Sequence, residues 1–137
     1  PSGKFAVFEP GIDIGNSFPV YTTFEFTQIP EWIQVSEEKI NQLKISVSNI
    51  NLVNEKTSPT LSATIKNNSL YIIPEMDVVV ILYGVSGNAI SVSRTFFDTL
   101  NREEERDINF TWPEPLGEEV IAKEIIPMYN IFLVKLK

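Results

Sequence analysis

The chain has 137 residues, 43% of them apolar and 11% aromatic, with 11 basic against 18 acidic side chains and a net charge of −7. That length holds one ordinary domain and part of another, since domains run to about 100–150 residues. The acidic balance disfavours nucleic acid, whose binding depends on Lys and Arg releasing phosphate counterions, and the absence of histidine and cysteine removes Ser-His-Asp catalysis, a disulfide framework and cysteine-ligated zinc.

No apolar run approaches the ~18 residues of a membrane-spanning helix. Basic residues are scattered apart from Lys135 and Lys137, so no patch suits an anionic membrane surface. Pro1 is not an initiator methionine and nothing like a signal peptide follows it. The expectation is a processed product or a fragment of a longer chain.

Lys4-Phe-Ala-Val-Phe-Glu-Pro10, a Gly-containing turn, and Tyr21-Thr-Thr-Phe-Glu-Phe26 read as two strands. Asp13 and Asn16 fall in the turn, an oxygen-rich stretch that a plain turn explains. Trp32 follows beside Pro30. Ser36 to Leu43 has a Ser cap and a thin apolar stripe of Ile40 and Leu43, enough for one or two helical turns, and reads as a connector.

Ile45 and Val47 then share one face against Lys44, Ser46 and Ser48, and beyond Asn49 the alternation continues through Ile50 and Leu52 in the opposite phase. That change of register predicts a bulge or a strand that switches sheets. Leu61, Ala63 and Ile65 alternate with Ser62, Thr64 and Lys66 before the turn-forming Asn67-Asn-Ser69. Val78 to Tyr83 is apolar on both faces, as a central strand covered on both sides requires.

A short Gly-containing loop leads from there to a partner strand. In it Ile90, Val92 and Phe96 are expected to share the apolar face, with Arg94 snorkelling from it, and Ala89, Ser91, Ser93 and Thr95 to lie opposite. Ile108, Phe110 and Trp112 alternate with Asp107, Asn109 and Thr111 until Pro113-Glu-Pro ends the ladder. The last strand or strands lie between Val120 and Leu136, with an interruption expected at Pro127.

Strands about ten residues apart with turn signals between them predict an all-β fold, an immunoglobulin-like (fibronectin type III-like) antiparallel β-sandwich of about seven strands. Lys4 to Phe26 echoes the punctuation of Arg106-Asp-Ile-Asn-Phe-Thr-Trp-Pro113 and Ile121-Ala-Lys-Glu-Ile-Ile126. Residues 1–37 are therefore expected to be a two-strand remnant of a preceding Ig-like domain plus a connector, and residues 38–137 a complete sandwich. Two strands alone are not independently stable, so the remnant must find partners in its own chain or in a neighbouring copy.

Leu61-Ser-Ala-Thr-Ile-Lys-Asn-Asn-Ser69, Val80-Ile-Leu-Tyr-Gly84, Gly87-Asn-Ala-Ile90, Phe96-Phe-Asp-Thr-Leu100 and Arg106-Asp-Ile-Asn-Phe110 resemble the FxLYD-type domains of exported or membrane-anchored bacterial and archaeal proteins. Val80 stands in place of the signature Phe and Gly84 in place of its Asp. The whole chain also resembles the C-terminal part of uncharacterised, membrane-anchored bacterial proteins with tandem Ig-like domains, in which a segment like Val7 to Ile12 closes the first domain. The resemblance implies an extracellular or cell-surface location and carries over no catalytic residue.

The run Glu103-Glu104-Glu105, with Asp98 and Asp107 nearby, is consecutive and interleaved with Arg102 and Arg106, unlike the spaced ligands of a calcium loop, and reads as a solvated turn. No pair of carboxylates sits in an apolar setting that would raise one pKa for glycoside hydrolysis. Trp32, Trp112 and Tyr129 are the candidate binding surface, because flat rings stack on sugars or peptides. Trp112 continues the Ile108 and Phe110 face, so core or domain-junction packing explains it as well.

The sequence thus leads to a non-enzymatic structural or adhesive module with no cofactor and no metal. Its expected partners are other protein domains, the upstream part of its own chain or neighbouring copies. A filament subunit joined by strand exchange is the second reading, and a carbohydrate-binding accessory domain the third.

Overall fold

The computed structural model describes residues 21, 23–29, 31 and 33–136. The expected strand at residues 4–10, the turn with Asp13 and Asn16, and Trp32 lie outside the described residues. Helix α1 (Glu37–Gln42) follows Ser36, whose hydroxyl accepts the Lys39 N–H at 3.3 Å. Two acidic residues, Glu37 and Glu38, occupy its first turn, where they complement the helix dipole.

Seven strands follow: β1 (Ile45–Val53), β2 (Thr60–Asn67), β3 (Tyr71–Gly84), β4 (Ala89–Leu100), β5 (Glu105–Thr111), β6 (Val120–Met128) and β7 (Lys135–Leu136). All pairings are antiparallel. One sheet has the order β1-β2-β5. The other has the order β4-β3-β6, with β7 also on β3. The chain is an all-β, Ig-like sandwich, as the strand pattern predicts.

The inner faces carry the expected alternation. Leu61, Ala63 and Ile65 of β2 meet Ile108 and Phe110 of β5, and all five are at most 2% exposed. Opposite them Met76, Val78, Val80 and Leu82 of β3 have no exposure at all. Burial of such side chains contributes roughly 1.5–3 kcal/mol each, which makes β3 the spine of the fold. Val79 points to the other side of β3 and is also fully buried, in keeping with a central strand covered on both faces.

Strand β1 slips register between Ser48 and Asn51, with Asn49 at φ 54°. Ile45 and Val47 before the slip and Leu52 after it all reach the core, although their numbers differ in parity. Ile50, inside the bulge, points outward and is 43% exposed.

Three expectations need correction. In β4 the register with β3 sets Ser91 opposite Leu82, Ser93 opposite Val80, Thr95 opposite Val78 and Phe97 opposite Met76, so these four face the core. Val92, Arg94 and Phe96 face outward, and Val92 and Phe96 are 46% and 52% exposed. A bulge at Ile90, skipped between the pairs Leu82–Ser91 and Tyr83–Ala89, returns that one residue to the core.

Pro127 does not interrupt β6 but pairs with Val78 inside it. Proline lacks only the N–H donor, and the pairs on either side, Asp77 with Met128 and Val79 with Ile126, keep the ladder in register. Of the expected strand from Tyr21 to Phe26, finally, the described residues Tyr21 and Thr23 to Phe26 lie in no strand, and the segment expected to pair with them lies outside the described residues.

Candidate functional site

The two flanks of the sandwich are not alike. Strands β4 and β5 touch across the sheets, which places β1 and β6 together on the opposite flank. The β4/β5 flank is sealed. Phe97 projects inward from β4, and the Arg106 guanidinium of β5 lies 4.9 Å from its ring centroid, a cation–π contact.

Arg106 is in turn held by Glu104. The Arg106 Nε–H donates to Glu104 Oε1 at 3.0 Å and a second guanidinium nitrogen bonds the same oxygen. The other carboxylate oxygen of Glu104 accepts from Asn101 N at 2.7 Å and Asn101 Nδ2 at 2.8 Å. Burial pushes the Glu104 pKa up, but the hydrogen bonds from Asn101 and Arg106 and the Arg106 charge outweigh it, so the pKa falls below its usual 4.5. The acidic run is thus a turn clamp, and no metal-holding group of acidic residues exists among the described residues.

The β1/β6 flank is less tightly closed by the described residues. Ile45, Val47 and Leu52 of β1, Ile125 of β6, and Tyr129 and Val134 beyond it pack on the core but remain partly exposed, in contrast to the fully buried residues of β2 and β3. The short β7 does not widen this flank: Lys135 and Leu136 pair with Ile72 and Tyr71, at the start of β3, where β6 leaves off. Ile121 of β6 is 57% exposed.

The candidate residues fall in different places. Trp112 packs against the core, next to a depression of about 280 Å³ shared with Ile90, Pro113, Pro115 and Leu116. Its indole Nε1–H is buried without a hydrogen-bond partner. Tyr129 also packs on the core, and burial raises its phenol pKa. The two rings do not form one surface, because Trp112 follows β5 at the Gly84 end of the sandwich and Tyr129 follows β6 at the Asn67 end.

The outer face of β1-β2-β5 is polar. A shallow depression of about 310 Å³ holds Asn49, Ser62, Thr64, Asp107 and Asn109. Asn49 Nδ2–H donates to Thr64 Oγ1 at 3.2 Å, and Thr64 donates to Asp107 Oδ1 at 2.9 Å. Asn49, Thr64 and Asp107 thus form one hydrogen-bonded row across the face.

Sequence reasoning missed the hub at Asn67, which has no exposure. Its Nδ2–H groups donate to Tyr71 O at 2.8 Å and Asn101 O at 2.9 Å, and its Oδ1 accepts from Ser69 N at 3.1 Å and Ser69 Oγ at 2.6 Å. The Tyr71 hydroxyl donates to Gln42 Oε1 at 2.6 Å, and Tyr71 pairs with Leu136, so the chain enters and leaves the sandwich at this same end.

Neither a family model nor a curated protein matches the chain. Among solved structures it is similar to a DUF1425 family member from Shewanella sp. pv-4, at 14% identity over 64% of this chain and 80% of that one, with a TM-score of 0.49. That likeness is too slight to carry a function. No helix among the described residues is long and apolar enough to cross a membrane.

Proposed function

We propose that the chain is a non-enzymatic contact module, an extracellular or cell-surface Ig-like unit used for display, spacing or protein binding. The observation that carries this reading is the antiparallel Ig-like sandwich itself, a finished core between two sheets whose β1/β6 side carries partly exposed apolar residues, among them Ile45, Val47 and Ile125. Partly exposed apolar residues grouped on one side of a domain suit contact with another protein. The resemblance to FxLYD-type domains supports the cell-surface location. Entrance and exit at one end favour display over reach.

Labelling of intact host cells with a membrane-impermeant amine reagent tests the reading: exposed lysines such as Lys66, whose side chain is 45% exposed, are expected to react. Labelling only after the cells are broken open would overturn it.

A further inference from the structure

The pattern Asn-x-Ser/Thr, an acceptor for N-linked sugar, occurs twice, in Asn67-Asn-Ser69 and Asn109-Phe-Thr111. The fold treats the two in opposite ways. Asn67 has no exposure, and its Nδ2–H groups donate to the carbonyls of Tyr71 and Asn101, so a sugar on that nitrogen would break the buried bonds and find no room. The folded chain is therefore bare at Asn67.

Asn109 lies on β5, where Asp107, Asn109 and Thr111 are exposed while Ile108 and Phe110 between them are buried. The two-residue period of the strand sets the acceptor amide, the threonine hydroxyl and a carboxylate in a row on the outer face, neighbours being about 7 Å apart. That carboxylate is a further handle for an enzyme whose acceptor site bears arginine. Ser62 pairs with Asn109 across the ladder, and with Asn49 and Asp107 it lines the depression of about 310 Å³ that Asn109 borders. A first sugar on Asn109 thus meets hydroxyl, amide and carboxylate groups that match its own hydroxyls.

We propose that Asn109 carries an N-linked glycan. In the transfer the Asn109 Nδ2 bonds to the anomeric carbon of an oligosaccharide held on a lipid diphosphate. The bond from that carbon to the diphosphate oxygen breaks, the lipid diphosphate leaves with the electron pair, and one Nδ2 proton passes to a base of the transferring enzyme. The proposal rests on the extracellular reading above, since such acceptors belong to secreted chains. A bulky hydrated group at Asn109 keeps the β1-β2-β5 face in solvent and leaves protein contact to the β1/β6 side.

The test is mass spectrometry of tryptic peptides from the full chain recovered from its host cells, run in parallel with the lysine labelling of intact cells. Peptide 107–123, in which Asn109 is the sole Asn, is expected to carry the mass of an oligosaccharide, and peptide 67–94 none. Asn109→Gln and Thr111→Val, both at exposed positions, are expected to abolish the added mass with an unchanged urea midpoint, whereas Thr111→Ser retains it.

A bare 107–123 peptide from cells whose lysines react while intact overturns the glycan and leaves the surface reading standing. The same peptide bare in cells whose lysines react only after breakage overturns both. Added mass that survives Asn109→Gln sits on another residue and likewise refutes the assignment.

Discussion

Replacing Asn67 with Ala removes a side chain that ties its own turn, residues 67–71, to the end of β4 at one end of the sandwich. Two carbonyls, of Tyr71 and Asn101, lose their donor, and the Ser69 N–H and hydroxyl lose their acceptor. Each buried polar group left unsatisfied costs about 1–3 kcal/mol. Carbonyls bear this more easily than N–H groups, so the expected sum is about 3–5 kcal/mol. That is a large share of the roughly 5–15 kcal/mol that holds a domain together.

Urea unfolding followed by tryptophan fluorescence reads it as a midpoint lower by about 2 M for a domain of this size. Asn68→Ala is the control. Asn68 is exposed, donates to Ser46 Oγ at 2.8 Å, and is expected to cost less than about 1 kcal/mol. Equal losses for the two, or a loss below about 1 kcal/mol at Asn67, would refute the hub argument.

Asn67→Asp sharpens the test, since it sets a carboxylate against two carbonyl oxygens. Its folded pKa would be raised above the unfolded value of about 3.9, so its stability falls as pH rises through that window and recovers on acidification. A pH-independent penalty would count against the geometry.

Trp112→Phe removes the partnerless indole N–H along with some packing. The two effects nearly cancel, leaving thermal stability within about 1 kcal/mol of the original, whereas Trp112→Ala costs about 3 kcal/mol or more. Glu104 has a lowered folded pKa, so its contribution is present above pH 4.5 and disappears as pH falls through the folded value; the stability gap to Glu104→Gln should shrink in acid and hold at neutral pH. Gly84→Ala sets a Cβ against the Glu118 carboxylate, displacing the group that accepts the Val85 N–H at 3.1 Å. Because Glu118 is flexible, the urea midpoint should register only about 0.5–1.5 kcal/mol; a loss several times larger would mean that the backbone, not the side chain, had to move.

The elements most legible in the sequence were those with one clean face. Leu61-Ala63-Ile65 and Ile108-Phe110 alternate without ambiguity, and the phase change at Asn49 announced its bulge. Strand β4 was harder because both faces carry apolar residues, Val92 and Phe96 on one and Phe97 on the other. Only pairing with β3 decides between them. The Asn67 turn was visible but its burial was not, because the carbonyl of Asn101 lies 34 residues away and local preference says nothing of it. The place of β7 was invisible for a similar reason. Lys135-Leu136 has the character of a closing strand, and its pairing with Tyr71 and Ile72 of β3 is fixed by the tertiary fold alone.

The position of Tyr71 also sets how the module responds to force. A pull applied between Ser36 and Leu136 does not run along the sandwich; it converges on one residue, which bonds Gln42 through its hydroxyl and pairs with Leu136 through its backbone. Such a load peels hydrogen bonds one at a time instead of shearing a row together. The two-residue β7 is therefore the first to detach, releasing the 129–134 stretch as slack while the β3 core remains folded. Mechanically the unit is a clip with an early yield, and a force-extension trace should show a small release well before the main unfolding event.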